Sequence, residues 1–160
     1  MRNVHILCVG KLKEAFYSAA AAEYAKRLGA YCDLHITELP EERLPQSPSQ
    51  AQIDAALAKE AAALRAKLPP GAAVVALCVE GTPRSSQGLA ALMEDWDSSS
   101  AKHLVFLIGG SYGLDEALKR EAWVRLSMSP MTFPHHLARV MLLEQIYRAF
   151  KIREGSSYHK

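Results

Sequence analysis

The chain has 160 residues, a formal net charge of +2 at pH 7, and a composition that is 49% hydrophobic and 22% charged. These values suit one ordinary domain with a continuous core and exclude disordered or fibrous classes. No apolar run approaches the roughly 20 residues of a membrane-spanning helix, and the apolar start at residues 4–9 is too short for a signal peptide. We therefore expect a cytoplasmic protein that has no membrane contact.

Strand and helix patterns alternate along the whole chain. In chain order they predict a strand at 4–9, a helix at 13–28, a strand at 32–39, a helix at 53–68, a strand at 73–79, a helix at 89–96, a strand at 103–108, a helix at 114–120, a strand at 123–128 and a helix at 135–153. The proline-rich stretch 40–49 is typical of a loop, residues 81–83 of a turn, and Ser85 or Ser86 of a helix cap. This alternation predicts one α/β domain over 1–160, with a mostly parallel sheet and helices on both faces.

The cysteines and histidines show no ligand pattern. Cys8, Cys32 and Cys78 lie beside apolar residues, their number is odd, and no CxxC spacing occurs. This argues against a disulfide framework or a zinc site and favours buried free thiols. His135 and His136 are adjacent and would point apart, so we predict no metal site.

Three loops form the predicted ligand site, because ligands of parallel sheets bind beyond the carboxyl ends of the strands. They follow Val79, Ile108 and Met128. The glycine loop 109–113 lacks both the dinucleotide and the phosphate-loop spacing, so a plain tight turn remains an alternative. The loop that continues to Pro134 is apolar and stiffened by two prolines. It could bind an adenine ring through main-chain hydrogen bonds, or it could be a buried connector.

The last predicted helix is apolar on nearly every side. Its apolar residues are Leu137, Val140, Met141, Leu142, Leu143, Ile146, Tyr147, Phe150 and Ile152. Such a helix must be covered all round, and a second copy of the chain is the simplest cover, so we predict a homodimer with this helix at the interface. Burial within one chain is the alternative. Arg139 and Glu144 should each have a specific partner, which for Glu144 is Arg148 at i,i+4.

Positive charge is concentrated towards the C-terminus. Residues 119–160 hold 8 Lys and Arg against 3 Asp and Glu, whereas residues 1–118 hold 11 against 14. The basic segment also contains three histidines. Such a surface is compatible with a polyanionic partner such as nucleic acid.

Six segments, taken in order, resemble one known family. They are Val9–Lys11, Phe106–Leu114, Thr132–His135, Leu137–Val140, Glu144–Ala149 and Tyr158–Lys160. In order, spacing and chain length the sequence resembles the RlmH (YbeA-type) family of SPOUT-class methyltransferases. The resemblance implies a C-terminal trefoil knot, a homodimer, S-adenosylmethionine as methyl donor, and methylation of N3 of a pseudouridine in a conserved hairpin loop of 23S ribosomal RNA on the assembled ribosome.

The resemblance also assigns roles by position. It implies cofactor contacts from Leu77, Gly109, Gly110, Met128, Ser129, Pro130, Met131, Thr132 and Phe133. For catalysis we expect His159, Tyr158 and Arg139: His159 is the best candidate for the base that takes the N3 proton, and Tyr158 would stack on or hydrogen-bond the nucleobase. Arg139 and Arg148 could stabilise the developing anion or hold phosphates. We predict RNA contacts from Arg148, Lys160 and His135.

The sequence departs from the family pattern at two places. The family's Leu-Asp-x-x-Gly reads Leu77-Cys78-Val79-Glu80-Gly81 here, so Glu80 is the candidate replacement for the missing carboxylate. Ser157 stands where proline is common before the terminal Tyr-His, which predicts a looser tail.

The sequence alone leaves two alternative functions open. A nucleotide-binding oxidoreductase on a doubly wound sheet would need a different glycine spacing and an acidic partner for the ribose. A small ribosome-associated binding module that uses the basic C-terminal face is the non-enzymatic alternative.

Overall fold

A computed structural model describes all residues from Met1 to Lys160. Its elements in chain order are β1 (Asn3–Val9), α1 (Ala15–Leu28), β2 (Asp33–Leu39), α2 (Gln50–Ala66), β3 (Ala73–Pro83), α3 (Ser86–Asp97), β4 (His103–Ile108), α4 (Glu116–Glu121), β5 (Val124–Ser127) and α5 (His135–Arg153). Every predicted strand and helix is present in the predicted order, and the α/β class is confirmed.

The five strands form one sheet in the order β2-β1-β4-β3-β5, and every neighbouring pair is parallel. One face packs against α1, α3 and α5, and the other packs against α2 and α4. Side chains of β1 and β4 are therefore buried on both faces, as a near-continuous apolar run predicts. All the strands end at the same edge, where the loops of interest lie.

The starts of α2 and α3 differ slightly from the prediction because side-chain caps set them. α2 begins at Gln50, since Ser49 and Gln52 form a reciprocal capping box. Ser85 rather than Ser86 caps α3, and its hydroxyl accepts from the Gly88 amide at 2.9 Å. None of the helices is long and apolar enough to cross a membrane.

The end of β3 corrects the predicted turn at residues 81–83. The strand continues to Pro83, and its pairing with β5 jumps so that both Leu77 and Thr82 face Leu126. The residues between them form a bulge. Gly81 lets the chain return, because a Cβ there would lie only 2.8 Å from the carbonyl of Arg125. The bulge places residues 78–80 at the carboxyl edge of the sheet.

α5 packs against both α1 and α3. Its side chains Leu142, Leu143 and Ile146 are buried, but Val140 and Met141 remain partly exposed. One chain therefore covers most of this apolar helix and leaves part of it open. The homodimer stays a prediction.

Candidate functional site

A cavity of about 750 Å³ lies at the carboxyl edge of the sheet, between the β3 bulge and the loops 109–113 and 128–134. The predicted cofactor-binding residues that line it are Leu77, Gly109, Gly110, Met128, Ser129, Met131, Thr132 and Phe133. Pro130 does not line the cavity. The three loops selected from the sequence thus meet in one place.

The glycine loop turns back on itself to form one wall. A Cβ on Gly109 would lie 2.3 Å from the carbonyl oxygen of Gly113, which itself has a φ of +81°. Both positions therefore require glycine. Glu41 holds the loop from outside by accepting from the Ser111 amide at 2.9 Å. Burial opposes the charge of Glu41, but the bonds from Ser111 and the nearby histidines outweigh it and lower the pKa of the carboxyl.

The loop after β5 keeps most of its main-chain amides free. The Met131 amide donates to the hydroxyl of Ser129 at 3.0 Å, and the carbonyl of Ser129 accepts from Ser127 at 3.1 Å. The amides of Met128, Ser129, Thr132 and Phe133 have no hydrogen-bond partner within the chain. This segment can therefore offer donors to a flat polar ligand edge while its side chains supply apolar walls.

An ion pair lines the same cavity. Lys119 on α4 is only 7% exposed, bonds to Glu80 of the β3 bulge, and bonds to Glu116 at 2.7 Å. Burial opposes the charge of Lys119, but its two carboxylate partners outweigh burial and raise its pKa. Cys78 also lines the cavity and is only half-buried, so the prediction of a buried thiol is wrong at this position. Cys8 and Cys32 are buried free thiols, as predicted.

His135 lines the cavity at the start of α5. The rings of His135 and His136 meet edge-to-face with centroids 4.1 Å apart, so the prediction that they point apart is wrong. Burial, followed by the neighbouring His136, lowers the pKa of His135. His135 as an RNA-binding residue stays a prediction; a neutral ring would contact RNA through its one N–H donor rather than through charge.

Arg139 does not line the cavity. Its guanidinium is 3% exposed and donates to Glu38 at 2.6 Å and to the carbonyl of Gly10 at 3.0 Å. Arg139 therefore has a specific partner, as predicted, and that partner is Glu38. In this geometry Arg139 ties α5 to the ends of β1 and β2, and direct contact between Arg139 and a reacting base has to be corrected to a positioning role.

The last three residues lie apart from the cavity. The Tyr158 hydroxyl donates to Glu144 at 2.8 Å, and His159 contacts Arg148 at 3.2 Å and Gln87 at 3.0 Å. The predicted pair between Glu144 and Arg148 is present at 3.1 Å. The predicted looseness of the tail is wrong within this chain, since Tyr158 and His159 both make side-chain hydrogen bonds to the body of the domain.

The predicted RNA-binding residues Arg148 and Lys160 flank this cluster. Arg148 is half-buried and engaged by Glu144, whereas Lys160 is exposed. None of the tail residues lines the cavity. The structure thus brings the predicted cofactor residues together in the cavity. It holds the predicted catalytic tail elsewhere, against the middle of α5.

A family model described as a predicted SPOUT methyltransferase matches residues 2–159. The chain belongs to the SPOUT methyltransferase family. SPOUT methyltransferases use S-adenosylmethionine, so the predicted enzyme class and methyl donor are confirmed at this level, and the oxidoreductase alternative is set aside.

The cavity of this SPOUT methyltransferase fits the donor on three counts. Its volume falls within the roughly 300–1,000 Å³ usual for small-molecule sites. Its free amides suit the edge of an adenine ring, and Leu77 and Phe133 supply apolar walls. The ion pair of Lys119 and Glu80 places charge at one position of the lining, and the donor likewise carries charged groups at one end.

Sequence reasoning missed Lys119. The signal was a single basic residue on the short helix that follows the glycine loop, and nothing in its spacing separates it from an ordinary surface lysine. Its significance depends on the β3 bulge, which brings Glu80 to it and which the sequence pattern presented as a turn.

Proposed function

We propose that this SPOUT methyltransferase transfers the methyl group of S-adenosylmethionine to N3 of a pseudouridine in 23S ribosomal RNA, acting in the cytoplasm as a homodimer on the assembled ribosome. The observation that carries the proposal is the meeting of residues 109–113 and 128–133 in one cavity of a SPOUT family member. The likeness of the six sequence segments to the RlmH family supports the choice of base. The same likeness supports a trefoil knot in the C-terminal part of the chain.

In this proposal the free amides of Thr132 and Phe133 hold the adenine edge, and the glycine loop supports the sugar side of the donor. S-adenosylmethionine supplies an electrophilic methyl group on its sulfonium. The chain has to align the base with that group, and alignment of this kind contributes up to roughly 7–11 kcal/mol to lowering a barrier. His159 accepts the N3 proton, and Tyr158 packs against the nucleobase.

The separation of tail and cavity supports the homodimer. His159 and Tyr158 are bound to the α5 side chains Arg148 and Glu144, so the tail does not complete its own cavity. The partly exposed Val140 and Met141 line a groove of about 500 Å³ beside α5, which a second copy would cover. We therefore assign the tail of each subunit to the cavity of its partner.

RNA contacts fall to the basic C-terminal segment. Arg148 lies beside the tail and Lys160 is its last residue, where a phosphate close to the target base would reach them. Arginine suits phosphate because its planar fork donates two parallel hydrogen bonds. His135 is retained only as a neutral contact at the cavity.

The first experiment removes residues 158–160. We expect methyl incorporation into ribosomes from cells that lack the enzyme to stop, while calorimetry still detects S-adenosylmethionine binding. Mass spectrometry of the rRNA nucleosides then identifies the methylated base. Normal turnover by the shortened chain would overturn the role of the tail, and absence of donor binding by the intact chain would overturn the proposed function. Ribosome binding without any methyl transfer would favour the binding-module alternative.

A mixing experiment tests whether the tail acts in its partner. The shortened chain keeps its cavity, and a Gly109→Ala chain keeps its tail but has a blocked cavity wall. If the tail completes the partner's cavity, a refolded mixture of the two inactive chains regains methylation, because each mixed dimer holds one complete site. If the tail serves its own chain, the mixture stays inactive.

A further inference from the structure

The cavity is nearly uncharged except at one place. Among its lining residues only Lys119 and Glu80 carry a full charge at neutral pH, and the two are paired with each other. The lowered pKa of His135 keeps that ring neutral. A lone opposed pair in an otherwise apolar and neutral cavity is a specific electrostatic feature that a ligand can match.

The fold presents both groups to the cavity with bonding capacity to spare. The ammonium of Lys119 has three N–H donors, and the chain uses them for two carboxylates, Glu80 and Glu116. The side chain of Glu80 is 52% exposed, so its carboxylate retains free acceptor positions. The β3 bulge is what places Glu80 there, since the residues of a regular strand would stay in the ladder with β5.

We infer that Lys119 and Glu80 bind the amino-acid end of S-adenosylmethionine, Lys119 through its carboxylate and Glu80 through its ammonium group. The inference rests on the proposed function. That end of the donor is a zwitterion, so a site with one charge of either sign would attract one of its groups and repel the other. An opposed pair satisfies both groups, and it leaves the adenine to the uncharged loops at residues 109–113 and 128–133.

A purely structural ion pair is the competing explanation, in which Lys119 only fastens α4 to β3. Glu116 separates the two explanations because it bonds Lys119 at 2.7 Å but does not line the cavity. Removing its charge weakens the hold on Lys119 and leaves the proposed ligand groups in place. Glu116→Gln is therefore the matched control for Glu80→Gln.

The experiment measures the affinities of three adenosine thioethers by calorimetry. S-adenosylhomocysteine carries both charged groups, its decarboxylated analogue keeps only the ammonium, and methylthioadenosine carries neither. For Lys119→Met we expect S-adenosylhomocysteine to bind roughly 10-fold to 100-fold more weakly, as for the loss of one charge-assisted hydrogen bond. The decarboxylated analogue should bind no more weakly than to the wild type, because the variant loses a repelling charge, and the affinity of methylthioadenosine should not change. For Glu80→Gln we expect both ammonium-bearing ligands to weaken and methylthioadenosine to bind as before.

Unchanged methylthioadenosine binding also shows that each variant has kept a folded cavity. Glu116→Gln should leave all three affinities as they are in the wild type. If Lys119→Met weakens all three ligands equally, or none of them, the inference is overturned while the proposed function stands. If the wild type binds none of the three ligands, the donor assignment fails and the inference fails with it.

Discussion

The hydroxyl of Tyr158 donates a hydrogen bond to Glu144 across 2.8 Å and so fixes the tail to the middle of α5. The same carboxylate accepts two bonds from Arg148, and Arg148 in turn contacts His159. One glutamate therefore positions both tail side chains that we assign to the reaction. Burial, followed by the bond to Glu144, raises the pKa of Tyr158, which keeps its hydroxyl protonated and able to donate.

Tyr158→Phe should reduce methylation strongly and stability only slightly. The substitution removes one hydrogen bond to a charged group at a partly exposed site, which costs about 1 kcal/mol. Methyl transfer and urea unfolding measure the two effects. Tyr31→Phe is the matched control, because the Tyr31 hydroxyl also donates to a carboxylate, Glu154 at 3.1 Å, but makes no bond to Glu144. Equal methylation by the two variants would show that the tail does not need this bond.

Gly109→Ala should destabilise the protein and abolish donor binding. The new Cβ would overlap the main chain of Gly113, so the glycine loop must open, at a cost of about 1–3 kcal/mol or more. Gly71→Ala is the control, because Gly71 has a φ of +70° but open space around it. That variant should lose about 1–2 kcal/mol from backbone strain alone and bind the donor normally. Thermal unfolding and calorimetry give both quantities, and normal binding by Gly109→Ala would contradict the assignment of this loop.

Stability should fall between pH 7.5 and pH 5.5. The rings of His5, His35 and His103 cluster on three adjacent strands. His5 stacks on His35, its neighbour across the strands, and Nε2 of His5 lies 3.0 Å from Nδ1 of His103. Burial and then the two neighbouring rings lower the pKa of His5 below its ordinary value of 6.5. The unfolded chain therefore takes up this proton first as the pH falls, and the folded state loses stability from about pH 6.5 down to the lower folded pKa.

His5→Gln should flatten this dependence, because glutamine can still bond to His103 and does not titrate. Urea unfolding at the two pH values measures the difference. Part of the loss of stability with falling pH should remain in this variant. The pKa of His135 is also lowered, so protonation of His135 destabilises the folded state in the same pH range. An equal slope in the variant and the wild type would show that the His5 cluster does not titrate in this range.

Arg139→Met should lower the free energy of unfolding and not only the rate of methylation. The change removes the charged donor of Glu38, which keeps only the bond from the Leu12 amide at 3.1 Å, and it removes the Arg139 donor of the Gly10 carbonyl. Because Glu38 is about a third exposed, we expect a loss of about 2–3 kcal/mol, below the roughly 3–5 kcal/mol of fully buried pairs. Urea unfolding measures the loss. A variant of wild-type stability that no longer methylates would instead return Arg139 to a catalytic role.

The sheet and the loops around the cavity could be read from periodicity. Continuous apolar runs such as 103–108 predict central parallel strands, and ligands of such sheets bind at the carboxyl edge. The β3 bulge could not be read in this way, because Gly81-Thr82-Pro83 has the composition of a turn. Only the pairing with Leu126 distinguishes a turn from a strand that leaves its ladder and rejoins it.

Most ion-pair partners of the charged side chains could not be predicted from the sequence pattern either. Spacing within α5 predicts the bond between Glu144 and Arg148, since both lie on one helix. The partner of Arg139 is Glu38, about a hundred positions away, and the partner of Lys119 is Glu80 on another element. Such contacts depend on the strand order, which local periodicity does not determine.

β5 is a short strand at the edge of the sheet, bonded only to β3, and it leads directly into residues 128–133. A strand with a single neighbour can detach more easily than β1 or β4, and its detachment would dismantle the cavity without unfolding the rest. A small molecule that occupies the cavity should therefore slow amide hydrogen exchange in β5, because detachment of this strand would have to release the molecule. Exchange in this one strand would then report occupancy, alongside the rise in melting temperature that binding to the folded state produces.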